Sequence, residues 1–242
     1  MAITRSYPSS TAAFLAGLRS ALTSEFVLVL AGTYIGIGAL AHNFGLSIWW
    51  LAASTVLIFA APAQVILISA LGAGSPLVEV ALAVTLSAIR LFPMVVALLP
   101  VLKNKSTRMR ELLIPTHFTS VSMWVESLRI LPSLPHENRI AFCNGLSACY
   151  CGTAVVFGFV GQYLAAGLPT LLSAALLFIT PVSFLTSTAR NARALIDRLA
   201  FVLGLLLAPL LTHFQIGLDL MWTGVIGGTL AYAAHRLLGA RA

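Results

Sequence analysis

Charge is what this chain has least of. Of its 242 residues only 9% are Asp, Glu, Lys or Arg, with 14 basic against 7 acidic. Soluble domains run at about 25% charged, so the deficit excludes an ordinary water-facing surface. Cysteine is scarce too. Cys143, Cys149 and Cys151 fall in one apolar run, among Gly145, Ser147, Ala148 and Gly152. Small residues at that density read as close helix packing, and three thiols without a further ligand make a poor metal site. No cofactor is expected. Catalytic signatures such as H-E-x-x-H and G-x-S-x-G are missing as well. Gly36-Ile37-Gly38-Ala39-Leu40-Ala41 mimics a dinucleotide loop but lies inside an apolar run rather than after a strand. The residues give no reason to expect an enzyme.

What the chain does have is hydrocarbon. With 59% hydrophobic residues and a mean hydropathy of +0.98, it reads as an all-α, polytopic membrane bundle. Its formal charge of +7 does not point to nucleic acid, because the Lys and Arg residues sit in short clusters between apolar runs, as topology signals do. Eight apolar segments follow one another: 26–41, 47–71, 77–102, 118–131, 140–166, 170–187, 195–212 and 216–238. Short connections make 1–242 a single transmembrane domain. Ahead of the first segment, Phe14, Leu15, Leu18 and Leu22 share a face, and Arg19 interrupts the run without a cleavage box. An interfacial helix fits better than a signal peptide. His42, His117, His213 and His235 fall near segment ends and read as interfacial anchors.

Basic residues convert the segments into a topology. Eight crossings from an inside N-terminus would put Lys103, Lys105, Arg108 and Arg110 outside, against the positive-inside rule. The conflict disappears if the two proline-broken segments, the second and the sixth, are re-entrant. Six spanning helices then remain, both termini are cytoplasmic, and of the basic residues considered only Arg139 is clearly outside. Each arm beside Pro62 or Pro181 has about 6 to 15 residues, too few at about 1.5 Å per residue to cross a hydrocarbon core of about 30 Å. The sequence also repeats itself weakly. Gly32-Thr33 leads to Phe59-Ala60-Ala61-Pro62, and Gly152-Thr153 leads to Phe178-Ile179-Thr180-Pro181, within halves spanning roughly 24–110 and 140–238. In this topology the two copies enter from opposite sides, as in inverted-repeat transporters.

A broken membrane helix carrying polar groups is the usual material of a solute site. Two such breaks would present helix N-termini to a carboxylate and freed carbonyls to an ammonium. Gln64 lies just past Pro62; Thr180 and Ser183 flank Pro181. Gln64 and the two hydroxyls could equally serve the backbone that the prolines disturb. Arg90 is central in the 77–102 run, where it cannot easily reach the interface. Insertion of such a residue costs about 2.5 to 3.5 kcal/mol, which argues for use, either on a substrate carboxylate or in a pair with Glu126. Glu126 is a possible proton carrier, although Arg129 at i+3 offers a plain ion pair. Phe59, Ile66, Phe178 and Phe184 would hold an aliphatic side chain.

Several of these stretches, taken in order, resemble a known family. Gly17-Leu18-Arg19 with Leu22, Tyr34-Ile35-Gly36, Gly45-Leu46-Ser47, Phe59-Ala60-Ala61-Pro62-Ala63-Gln64, and Ile89-Arg90 with Pro93-Met94 are similar to the AzlC family of branched-chain amino acid exporters. The likeness implies the large subunit of a bacterial inner-membrane exporter of Leu, Ile, Val or related amino acids, working with a small hydrophobic AzlD-type partner. The chain departs from the family pattern at Ala61, Ala88 and Leu91, where Gly, Asn and His are common. It has Glu126 alone where many members carry an acidic pair. A channel or self-sufficient carrier for another small organic solute is the alternative reading.

Overall fold

The structure, a computed structural model, describes residues 7–104, 106–167, 178, 182, 185–186, 189, 192, 195–214 and 219–239. Thr180, Pro181, Ser183 and Phe184 lie outside the described residues, as does most of the sixth segment. The regular structure among the described residues is all helical, with no strand. In chain order the α-helices are α1 (Ser10–Leu22), α2 (Glu25–Asn43), α3 (Ile48–Leu57), α4 (Ala61–Gly72), α5 (Leu77–Ala88), α6 (Leu91–Leu102), α7 (Leu113–His117), α8 (Val121–Ile130), α9 (His136–Gly167), α10 (Leu195–His213) and α11 (Asp219–Gly239). By length and composition α2, α9 and α10 suffice to cross a membrane, and α5 with α6 makes a fourth candidate, bent by 44° at its joint. Six spans were expected.

The scaffold is α9, at 32 residues the longest described helix, about 48 Å by its rise. Glycines let α1 and α2 lie against it almost backbone to backbone. A Cβ on Gly17 would run into the Phe142 carbonyl, and one on Gly145 into that of Phe14. Gly38 is set against the Gly158 carbonyl, and Gly161 against that of Ile35, in the same way. Small residues permit such approach where lipid supplies no hydrophobic drive between helices. Tyr34, Ile37, Phe142, Leu146 and Tyr150 fill the core around these contacts. α1 is therefore a packed half-helix rather than an interfacial one. Ala13, Gly17 and Ala21 form its buried face.

Contacts along α9 fix directions. Asn138 Nδ2 donates to the Tyr7 carbonyl (3.2 Å) at one end, and Gln162 Nε2 to that of Leu46 (2.6 Å) at the other. Partner numbers thus rise together, so α1 and α2 run parallel to α9. The helices carrying Gly32-Thr33 and Gly152-Thr153 point the same way, a correction to the opposed copies expected from the repeat. At the Leu46 end α2 and α4 both stop on glycines with positive φ, Gly45 (69°) and Gly74 (73°). The N–H groups of Leu46 and Ser75 close back on Ala41 and Ala70 in the Schellman pattern. Gly72 abuts the Phe44 ring. The second segment therefore goes out along α3 and returns along α4 to the end where it began.

The opposite end is basic. Arg139 Nη1 donates to the Val101 carbonyl at 2.8 Å, and its Nε to that of Leu134 at 2.9 Å. This puts Arg139 beside the end of α6, next to Lys103, and not at the far face. The chain from Lys103 to Leu134 starts and finishes here. Between them it climbs to His117 and Phe118, which meet α3 and its following loop, and descends through α8. With 10 residues, about 15 Å by its rise, α8 is too short to cross a hydrocarbon core of about 30 Å by itself, and it runs back from His117 and Phe118 toward Leu134.

Candidate functional site

Two prolines set the two interruptions of the apolar helices. A proline lacks an N–H and clashes with the carbonyl four residues back, which for Pro62 is Ile58 and for Pro93 is Ile89. At the first, residues 58–60 leave the helix altogether, and Pro62 falls in the first turn of α4, where a missing N–H costs little. At the second the chain only bends by 44°, between Ala88 and Leu91. Pro93 had no assigned role in the sequence reading, yet its position marks this joint.

Gln64 is fully buried in the first helical turn after the break. Its Nε2 donates to Ser54 Oγ at 2.9 Å and to Thr55 Oγ1 at 2.8 Å. Those hydroxyls already donate to the Leu51 carbonyl, at 2.9 and 2.8 Å, and have only lone pairs to offer. The amide must therefore present N–H to them, which turns Oε1 the other way. Oε1 is buried and has no hydrogen-bond partner among the described residues. Gln64 thus ties α4 to α3 through side-chain hydroxyls, and not through the backbone groups that Pro62 disturbs.

The break is met from the opposite hairpin. Ala60 N–H turns to Ile58 O (2.7 Å), so Val56 O loses its helical donor, and His117 Nε2 lies 2.8 Å from it. Phe118 packs edge-on against Phe59, with centroids 5.5 Å apart. His117 is thus a partner of the broken backbone, not an interfacial anchor. Ser54, Thr55 and His117 were not singled out as site residues. The signal available for the hydroxyls was their place 8 and 7 residues before Pro62, on the last turn of the preceding helix. α4 itself begins on Ala60 with no side-chain cap, leaving its first turn open. Ile66 is half-buried nearby in sequence, whereas Phe178 is 68% exposed.

Arg90 stands at the α5–α6 joint. It is exposed, as are Ile89 and Phe92, and its guanidinium makes no hydrogen bond or ion pair among the described residues. The expected alternative partner, Glu126, is taken. Glu126 is 1% exposed, its Oε1 accepts from Arg129 Nη2 at 2.7 Å, and Ser20 Oγ donates to the same oxygen at 3.3 Å. The plain i, i+3 pair is what forms. Cys143, Cys149 and Cys151 are free thiols, and Cys143 Sγ lies 3.3 Å from Ser127 Oγ in the packed core.

A family model described as AzlC protein matches residues 26–168, well over half of the chain and including the break, Gln64 and Arg90. No curated protein and no solved structure matches. With the order of its short motifs and its interrupted apolar helices, the matched stretch places this chain in the AzlC family, a family of membrane transporters.

Proposed function

We propose that the chain is the large subunit of a bacterial inner-membrane exporter of branched-chain or other small hydrophobic amino acids, with its solute held at the α3–α4 break. One observation carries this reading: a fully buried glutamine beside an unwound helix keeps an acceptor oxygen that has no partner among the described residues. An unpartnered buried polar atom costs about 1 to 3 kcal/mol, so its retention favours a ligand that donates to it, as an α-ammonium does. The open first turn of α4 suits a carboxylate. Arg90 adds a bidentate donor whose charge is uncommitted among the described residues, and on their sequence pattern Thr180, Pro181 and Ser183 are assigned to the same solute site. Glu126, buried and contacted by Ser20, is the carboxylate for a coupling proton. A pocket of Phe59 and aliphatic side chains separates solutes by only about 1 to 3 kcal/mol per methylene, so Leu, Ile, Val and Met should overlap.

In this reading the basic end and the N-terminus face the cytoplasm, the two hairpins dip in from opposite faces, and the 170–187 segment crosses the membrane instead of dipping, which returns the C-terminus to the cytoplasm. Ser106→Cys should then react only with membrane-permeant reagents, while Ser75→Cys, chosen over Gly74 for its ordinary backbone, should react from outside. Labelling of both from one side would refute this topology. The function is tested by efflux of preloaded leucine from cells, with and without a co-expressed small AzlD-type subunit. Saturation and counterflow in proteoliposomes are expected. Flux that grows linearly with the gradient, without counterflow, would make the protein a channel for a small solute.

A further inference from the structure

A cavity of about 490 Å³ opens between α1, α8 and α9, on the basic side of the bundle and away from both helix breaks. Leu15, Ile130 and Phe142 make part of its wall apolar, while Arg19 and Ser20 make another part polar. Tyr7 closes the end where its carbonyl takes the Asn138 amide. Arg19 is exposed, and its guanidinium has no partner among the described residues. Next to Ile130, Arg129 spends one nitrogen on Glu126 and remains 68% exposed. Of the two guanidiniums Arg19 lines the cavity, while Arg129 adjoins it through Glu126, whose Oε1 also accepts from Ser20 in the wall, and the three groups leave a net positive charge beside an apolar wall. A small free anion would neutralise the charge but leave the wall uncovered. A zwitterionic headgroup would bring its own cation against the guanidiniums. An amphiphile with an anionic head satisfies both halves of the cavity, and basic pockets between membrane helices are suited to such headgroups.

We propose that this cavity binds an anionic phospholipid, its phosphate on Arg19 and Arg129 and an acyl chain along Leu15, Ile130 and Phe142. The inference goes beyond the transport reading and does not depend on it. Full-length protein in mild detergent, mixed with equal amounts of phosphatidylglycerol and phosphatidylcholine, should retain the former in native mass spectra. Arg19→Gln, an exposed change that leaves the core intact, should weaken that retention about fivefold. Combining it with Arg129→Gln should abolish the preference, whereas Arg198→Gln, outside the cavity, should not alter it. Leu15→Trp should narrow the apolar wall and weaken lipid retention with every charge in place. Equal retention of both lipids by the parent protein, or an unchanged preference in Arg19→Gln, would overturn the proposal. Displacement of the lipid by an equal concentration of glycerol phosphate would do so too, by assigning the cavity to a soluble anion.

Discussion

The Pro62 and Pro93 breaks begin from the same local chemistry and end differently. Each proline removes one N–H and crowds the carbonyl of an isoleucine four residues earlier. Near Pro62 the backbone opens over three residues, the freed Val56 O takes His117, and the Ser54 and Thr55 hydroxyls take the Gln64 amide across the gap. Near Pro93 the helix keeps nearly helical dihedrals through Arg90 and merely bends. Among the described residues no polar side chain bonds to it, and Arg90 makes no ion pair. Proline determines where an apolar helix fails; neighbouring polar groups determine how far it opens.

The sharpest way to break this comparison is at Arg90. Under the proposed function Arg90→Ala should abolish export while the protein stays inserted and abundant, since no internal bond is lost. Arg90→Lys keeps the charge but loses the planar fork and should export far less than the parent. Normal export by both variants would make Arg90 as structural as its counterpart break is polar.

Gln64 tests the other break. Gln64→Leu removes both cross-links between α3 and α4 and the free acceptor together. The two lost hydrogen bonds and the relieved buried acceptor offset one another, so melting should shift by less than about 1 kcal/mol while efflux assays register a strong defect. If Gln64→Leu exports like the parent, this acceptor does not hold the solute.

Ile89 O now accepts from Phe92 N–H at 3.1 Å, and Pro93→Ala removes the clash and lets it take the i+4 donor of a continuous helix instead. The α5–α6 joint should straighten and thermal stability rise by about 1 kcal/mol, with slower export if the bend places Arg90. A smaller effect belongs to His117→Ala, which strips Val56 O of a partner at an exposed position. A loss of about 0.5 to 1.5 kcal/mol in melting is expected, and His117→Gln, which keeps a donor, should recover some of it.

Much of this arrangement was legible beforehand. Pro62 in an apolar run too short on either side to span announces a break, and Gln64 beside it announces a polar role. The Glu126–Arg129 pair follows from i, i+3 spacing alone. Other features were hidden because single residues encode them weakly. Arg19 disguises α1 as an interfacial helix, since the buried stripe Ala13, Gly17, Ala21 carries little hydropathy. Val121 to Ile130 reads as a span because apolar composition does not reveal that ten residues descend from a hairpin tip. Arg139 was sent to the wrong end because basic residues were counted along the chain, where an error at one segment reverses every later one.

By itself the sequence determined the class of the protein, the places where its helices break and the identity of the polar groups near them, since hydropathy and proline act locally. Tertiary structure decided the directions of the helices and the partners of those groups. Direction depends on contacts distant in sequence, such as Gly38 against Gly158 and Leu46 against Gln162. A glycine permits a close approach without naming its neighbour. A freed carbonyl needs a donor, but only the packing of one hairpin against another made that donor His117.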